Sequence, residues 1–319
     1  MTSPLDGVLV VTVRKSFWAS PEAEAFPRRI NARVFFGHST NLLNSAVVFA
    51  RALLAIVLRP PRIVVLGSVE RTVPWFIRAR RLGLLGGAKL VVTNQLHLDD
   101  RQLEQVDRNI VYSRAWIERQ RPEARRRGFF APLPADGDFE AARRSPSNGV
   151  DVFSGGGAGR DFPALLEALR DTDVALEIVT FSSDTLGWEG DLPANCRVRW
   201  RMAVPQFLSR LAAARIVAVP LQSSDSDFGQ TTIVQALSLG KPVVATRAPG
   251  VVDYIVDGRE GLLVEAGDVA ALREAITRLL CDDELRKSCA RHARERAREL
   301  TYGAFAGTLS RLCAELGAG

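Results

Sequence analysis

Cysteine and histidine are scarce in this chain, with four cysteines and three histidines among 319 residues. The cysteines (Cys196, Cys281, Cys289 and Cys313) are too few and too spread for a disulfide scaffold, and none shows C-x-x-C spacing. Three scattered histidines argue against a His-based metal cluster. Long hydrophobic runs are lacking too. The most apolar stretch, Ala46–Leu58, is interrupted by Arg51 and stops at Arg59-Pro60-Pro61-Arg62, whereas a membrane span needs about 20 residues. It reads as a buried amphipathic helix, the other reading being a helix lying on a membrane surface. The first seven residues show no basic segment ahead of an apolar core, so no signal peptide is expected. The expected location is therefore cytoplasmic, with peripheral contact at the inner face of the membrane. Repeats and biased composition are missing as well: 47% hydrophobic and 24% charged residues are ordinary globular values, which excludes collagen, a coiled coil or a mostly disordered chain.

What is present is an asymmetry of charge. The formal net charge is +6, yet up to Asn148 there are 23 Lys+Arg against 13 Asp+Glu, and from Gly149 onward the balance turns mildly acidic. A basic first half favours an anionic partner: a phosphate-bearing acceptor, a lipid surface or nucleic acid. An Arg-rich solvated surface explains it equally well. Nucleic acid is disfavoured, because basic residues are not interleaved with aromatics.

Short β-branched runs alternate with helical patterns throughout. Strands are expected at Gly7–Val13, Arg33–Phe36, Arg62–Leu66, Lys89–Thr93 and Asn109–Tyr112 in the first half. In the second half they are expected at Val150–Phe153, Ala175–Phe181, Cys196–Trp200, Ile216–Pro220, Pro242–Thr246 and Gly261–Val264. Such alternation means βαβ units and parallel sheets. The pattern restarts near Val150, after a polar, turn-forming stretch, Ala141–Gly149, read as the linker. The fold class expected is α/β, as two Rossmann-like doubly wound lobes facing a cleft. The expected domains are 1–145, which binds the acceptor, and 146–300, which binds the donor nucleotide. A final segment, 301–319, is a helix packing back on the first lobe.

Two loops carry phosphate-binding chemistry. In Val152-Phe-Ser-Gly155-Gly156-Gly157-Ala-Gly159-Arg160-Asp161-Phe-Pro163, a strand passes through a glycine-rich turn into a helix start. Gly156 and Gly157 let backbone approach a phosphate, and helix-start N–H groups favour anions. Arg160 is placed to clamp a pyrophosphate, and Asp161 to cap the helix. The spacing fits neither G-x-G-x-x-G nor G-x-x-x-x-G-K-[ST], and an exposed Arg on a plain connection is the bland reading. The second loop, Val219–Gln230, runs through Gly229 and Gln230 into a helix beginning near Thr231, with Thr232 next. Thr231 and Thr232 suit a distal phosphate or serve as a simple cap. Asp227, in the loop, and Gln235, eight residues later, suit sugar hydroxyls, with a solvated helix face as the other reading for Gln235. Asp225-Ser-Asp227 has a spacing that can hold a divalent cation, but it is common by chance, and no metal site is assigned.

The run from Phe228-Gly229 through Ala236-Leu237, Gly240-Lys241-Pro242, Pro249-Gly250 and Asp257-Gly258 to Gly267-Asp268 resembles the donor-binding lobe of family-4 retaining glycosyltransferases of the GT-B fold. The similarity covers about 150–300 and is strongest over Val219–Asp268. The resemblance implies transfer of a sugar from a nucleoside-diphosphate sugar to an acceptor hydroxyl, retaining and metal-independent, with no cofactor beyond that donor substrate. Asp227 and Gln235 stand where the family carries its E-x7-E acids, which contact the transferred sugar and the ribose. Thr231 and Thr232 fall at the diphosphate, Arg160 is what remains of the family's basic clamp, and the base would lie against backbone near Trp200–Val204. Lys241 follows a helix-terminal glycine and is expected to be structural.

In the first half, His97 follows the expected strand Lys89–Thr93 and is a candidate for orienting the acceptor, or simply a loop histidine beside two acids. Arg14, Lys15 and Gly67–Arg71 follow other strands and are candidate acceptor loops, whereas Arg125–Arg127 reads as a solvated face. The expected partners are the nucleotide sugar and an acceptor that is anionic or lipid-linked, with peripheral membrane contact through the basic half and no nucleic acid. The competing functions are a nucleotide-sugar epimerase or hydrolase, a phosphorylase, and a non-catalytic nucleotide-sugar binding protein.

Overall fold

A computed structural model describes residues 8–13, 33–37, 42–67, 72–93, 98–135, 137–144 and 149–317. The chain divides into two compact units, Met1–Ala131 with Tyr302–Gly319, and Pro132–Thr301. Each is built on one six-stranded sheet in which every pairing is parallel.

In the first unit the strands are β1 Val8–Val13, β2 Arg33–Gly37, β3 Ile63–Gly67, β4 Lys89–Thr93, β5 Arg108–Val111 and β6 Gly128–Phe130, in the order β2-β1-β3-β4-β5-β6. One face, with Leu9, Val64, Leu66, Leu90 and Val92, packs on helices α1 (Leu42–Leu58) and α2 (Val73–Arg81) through Val48, Ala52, Ile56 and Phe76. The other face, with Val8, Val10, Ile63, Val65 and Val91, is covered by α8 (Tyr302–Gly317) through Tyr302, Leu309 and Leu312. Both faces are buried, which is why these strands read as continuous apolar runs. The short edge strand β6 lay outside the sequence expectation: three residues after an arginine cluster carry no periodicity to read.

In the second unit the strands are β7 Val150–Gly155, β8 Leu176–Thr180, β9 Cys196–Trp200, β10 Ala214–Val219, β11 Val243–Thr246 and β12 Gly261–Val264, in the order β12-β11-β10-β7-β8-β9. Taken from β7 this is the 3-2-1-4-5-6 order of a doubly wound dinucleotide-binding sheet, as expected. The longer helices are α3 Phe162–Leu169, α4 Val204–Ala213, α5 Gln230–Ser238, α6 Val269–Cys281 and α7 Asp283–Ala297. Asp161, Asp268 and Asp282 cap α3, α6 and α7 by accepting from Ala164 N, Ala271 N and Leu285 N at 2.8–3.0 Å. Leu165, Leu166, Leu272, Ile276 and Leu279 from α3 and α6 bury one face of the sheet. On the opposite face Phe153 meets Phe207 of α4 edge to face, 5.1 Å between centroids. Ala141–Arg144, expected to be linker, closes a helix over Phe139–Arg144 instead. Ala142 is buried in it, and Arg143 donates to the Ser238 carbonyl at 2.6 Å.

Candidate functional site

Strand order in the second unit reverses between β7 and β10, so the loops leaving their carboxyl ends diverge and leave space for a ligand. Those two loops are the ones singled out from sequence. They are tied together by backbone: Asp161 N donates to Pro220 O at 3.1 Å, Gln222 N to Gly159 O at 3.0 Å, and Arg160 bridges to Leu221. Two glycines of the first loop have left-handed backbone, Gly156 at φ +111° and Gly159 at φ +66°, a conformation that L side chains rarely adopt.

Arg160 does not project from the loop as an exposed side chain. It is 5% exposed and folds back beneath the glycines. Its Nε donates to Gly155 O at 3.0 Å, Nη1 to Ala158 O at 3.4 Å, and Nη2 to Thr232 Oγ1 at 3.1 Å. Gly156 has no side chain because a Cβ there would sit 3.0 Å from Nη2. No carboxylate pairs with this guanidinium among the described residues. Burial pulls its pKa down to about 10. It is therefore still a cation at neutral pH, held by carbonyl and hydroxyl oxygens alone.

The second loop ends in Gly229 at φ +104°, which caps α5. Gln230 is half-buried and donates from Nε2 to Asp227 O. Thr231 is exposed, whereas Thr232 is buried and donates from Oγ1 to Gly155 O at 3.2 Å. Thr232 thus joins α5 to both Arg160 and the end of β7, and is more than a cap. Gln235 is 8% exposed, so the solvated-face reading fails for it. Asp227 is half-buried, and the loop around it is supported by Gly250 N donating to Ser226 O at 3.0 Å. Any side chain at Gly250 would strike Asp227 and Phe228 backbone. Lys241 is structural as expected, donating to Ala214 O at 2.7 Å.

Several neighbours of these loops carried no sequence signal. Phe181, 59% exposed after β8, lies where a Gly157 side chain would be, and Phe228, 47% exposed, does the same at Gly159. The glycine loop is thus walled by two exposed aromatic rings. Thr180 at the end of β8 is buried, with no hydrogen-bond partner for its hydroxyl among the described residues. Arg201, following β9, has φ +49° and donates its amide to Thr180 O at 2.9 Å. His97, Arg14, Lys15, Ser68–Arg71 and His38 lie outside the described residues.

Residues 159–282 match the family model described as Glycosyl transferases group 1. A D-inositol 3-phosphate glycosyltransferase of Corynebacterium efficiens is 39% identical over 127 residues, which is 39% of this chain and 29% of that protein. The chain thus aligns with less than a third of that relative's length. A lipopolysaccharide core biosynthesis glycosyltransferase, LpsE of Rhizobium meliloti, is 32% identical over 36% of this chain and 32% of its own. Among solved structures, Anabaena HepE in complex with UDP-glucose superposes with a TM-score of 0.68 at 16% identity, over 96% of this chain and 99% of that one. Sucrose-phosphate synthase from Thermosynechococcus elongatus gives 0.68 at 16%, over 97% and 99%.

Proposed function

We propose that this chain, a protein of the GT-B fold whose residues 159–282 form a group 1 glycosyltransferase domain, moves a sugar from a nucleoside-diphosphate sugar to an acceptor hydroxyl. The observation that carries the reading is Arg160: a buried cation without a carboxylate partner among the described residues, at the switch point of a doubly wound sheet. An uncompensated buried charge is costly, and a diphosphate arriving at the glycine loop supplies the missing counter-charge. HepE, similar in fold, is described with UDP-glucose bound, which supports a nucleotide sugar as donor.

In this reading Gly156, Gly157 and Arg160 receive the diphosphate from one side. The N–H groups of Gly229, Gln230, Thr231 and Thr232 at the start of α5 receive it from the other. Gln235 hydrogen-bonds the ribose, Asp227 the transferred sugar, and backbone near Trp200–Val204 the base. His97 orients the acceptor. As the anomeric C–O bond breaks, its electrons pass to the leaving diphosphate, where the fixed donors stabilise the charge. The acceptor oxygen bonds to the anomeric carbon from the leaving-group face and its proton goes to the departing phosphate oxygen. The transfer is therefore retaining, with neither a carboxylate nucleophile nor a metal. The test is a calorimetric screen of UDP-, GDP-, ADP-, CDP- and TDP-sugars, followed by turnover with and without acceptor and in EDTA. Binding and acceptor-dependent turnover that survives EDTA is expected. Turnover without acceptor would point to an epimerase or hydrolase, and no binding would sink the reading.

For the acceptor side we propose contact with an anionic lipid surface through α1. Val47, Leu54 and Leu58 lie on one stripe of that helix at 48%, 59% and 75% exposure, with exposed Arg51 among them and Arg59 at its end. The opposite face, with Val48, Ala52 and Ile56, is core. No helix among the described residues is long and apolar enough to cross a membrane. Co-sedimentation with vesicles rich in phosphatidylglycerol is expected, and L54D/L58D should lose most of it. Equal sedimentation of the double variant would remove α1 from the contact.

A further inference from the structure

At the amino-terminal end of the same sheet, the second unit holds a cavity of about 380 Å³. Glu177 of β8 lines it, with a side chain 6% exposed. Arg199 of β9 approaches it with Nε 3.1 Å from Oε1, and Arg210 of α4 with Nη1 3.7 Å from Oε2. Arg197 stands two residues before Arg199, so it shares the same sheet face. It lines the cavity and is exposed, with no side-chain hydrogen bond or ion pair among the described residues. Asp173 and Asn195 supply further polar lining. Three guanidiniums therefore face two carboxylates, and one of those carboxylates is already engaged by two of the guanidiniums.

We propose that this cavity binds a small phosphomonoester of hexose-phosphate size, at a site separate from the switch-point loops. Gly149 and Val150 at the start of β7 line it, and five residue steps at ~3.3 Å put it about 16 Å from Gly155 at the other end of that strand. Guanidinium forks match phosphate oxygens geometrically. Arg199 and Arg210 have their rotamers fixed by Glu177, so much of the ordering cost of binding is met on folding. Arg197, opposite Glu177 in the sheet register, brings a charge that is in no ion pair among the described residues. The volume falls within the ordinary small-ligand range, and it leaves room beside a phosphate for a hydroxylated body against Asp173 and Asn195.

Calorimetric titration of the full chain with glucose 6-phosphate and with inorganic phosphate, each with and without saturating UDP, tests this. Glucose 6-phosphate should bind at least tenfold more tightly than inorganic phosphate, and UDP should not displace it. Arg197→Ala should weaken it at least tenfold without lowering the melting temperature, since that side chain has no hydrogen bond or ion pair among the described residues; Arg210→Ala should weaken it as much but also lower the melting temperature, since it removes a partner of the buried Glu177. UDP affinity should be the same in both variants as in the parent. Absence of heat with glucose 6-phosphate, affinities equal to inorganic phosphate, an unaffected Arg197→Ala, or displacement by UDP would each overturn the proposal. The hexose-phosphate readings hold whether or not UDP binds, so they fail separately from the glycosyl-transfer reading.

Discussion

The two ends of the second unit's sheet solve the burial of charge in opposite ways. At the carboxyl end Arg160 is buried with three oxygen acceptors and no acid among the described residues. At the amino end Glu177 is buried with two arginines against it. In the second the buried carboxylate is neutralised on folding, which contributes to holding β8, β9 and α4 together and leaves Arg197 as the charge available to a ligand. The first is incomplete. With its pKa pulled down to about 10, Arg160 disfavours its own charged form in the folded state. That penalty applies in full at neutral pH and is relieved only as pH climbs through 10. An anionic ligand that brings a counter-charge can return that penalty as binding energy. A buried charge that is paired contributes to stability; one left without a counter-charge is open to a ligand that brings one.

The largest effect expected is from Arg160→Ala. It should lower kcat/KM for donor at least about tenfold, consistent with the ~1.5–3 kcal/mol of a charge-assisted hydrogen bond. The unliganded protein should melt close to the parent, because a lost desolvation penalty offsets the lost hydrogen bonds. Unchanged kinetics would take Arg160 out of the site, and a collapse of the apo protein would make it a structural residue like Glu177.

Glu177→Gln is the converse variant. Removing one partner of a buried pair costs ~3–5 kcal/mol when the other charge stays trapped. Here Arg199 and Arg210 are 38% and 31% exposed and can turn to water, so about 1–2 kcal/mol is expected in chemical denaturation. Donor affinity should not move. If it did, the two ends of the sheet would be coupled, with Phe207 and Arg210 on α4 as the mechanical link.

How much of this was legible in sequence follows the range of the interactions. Strands Lys89–Thr93, Cys196–Trp200 and Gly261–Val264 were readable to the residue, because apolar, β-branched runs are local signals. Gly156, Gly159 and Arg160 stood out for the same reason. That Arg160 turns inward was not readable, since its acceptor Thr232 lies 72 residues away and meets it only because β7 and β10 are neighbours. Glu177, Arg199 and Arg210 gave no signal either. Sheet register sets Glu177 opposite Arg197, with Arg199 two residues further along the same face, and α4 brings Arg210. The linker expected over Ala141–Gly149 overlaps the helix Phe139–Arg144 at Ala141–Arg144, because the polar, turn-forming composition of the whole stretch masks two good helix-forming alanines.

A third contrast separates backbone from side chain at the carboxyl end. Gly159 at φ +66° has Phe228 where a Cβ would go, 2.7 Å away, whereas Gly190 at φ +86° has nothing within 4 Å. Gly190→Ala should cost only the left-handed strain, ~1 kcal/mol. Gly159→Ala adds displacement of the Phe228 ring, and should raise donor KM several-fold where Gly190→Ala leaves it unchanged. Equal kinetics for the two would mean that the Phe228 wall does not touch the donor.

The smallest effect expected is also the one that locates Arg160's role most closely. Thr232→Val keeps the shape of the side chain but deletes Oγ1, which accepts from Arg160 at 3.1 Å and donates to Gly155 O at 3.2 Å. Losing a neutral hydrogen bond costs about 1 kcal/mol, so modest destabilisation and a rise of a few-fold in donor KM should follow, both reversed in Thr232→Ser. If the guanidinium meets the diphosphate itself, Thr232→Val must fall well short of Arg160→Ala. If the two variants lose the same amount, Arg160 acts only by holding Thr232 and the start of α5 in place. The charge at the carboxyl end would then be a structural one after all, like that at the amino end.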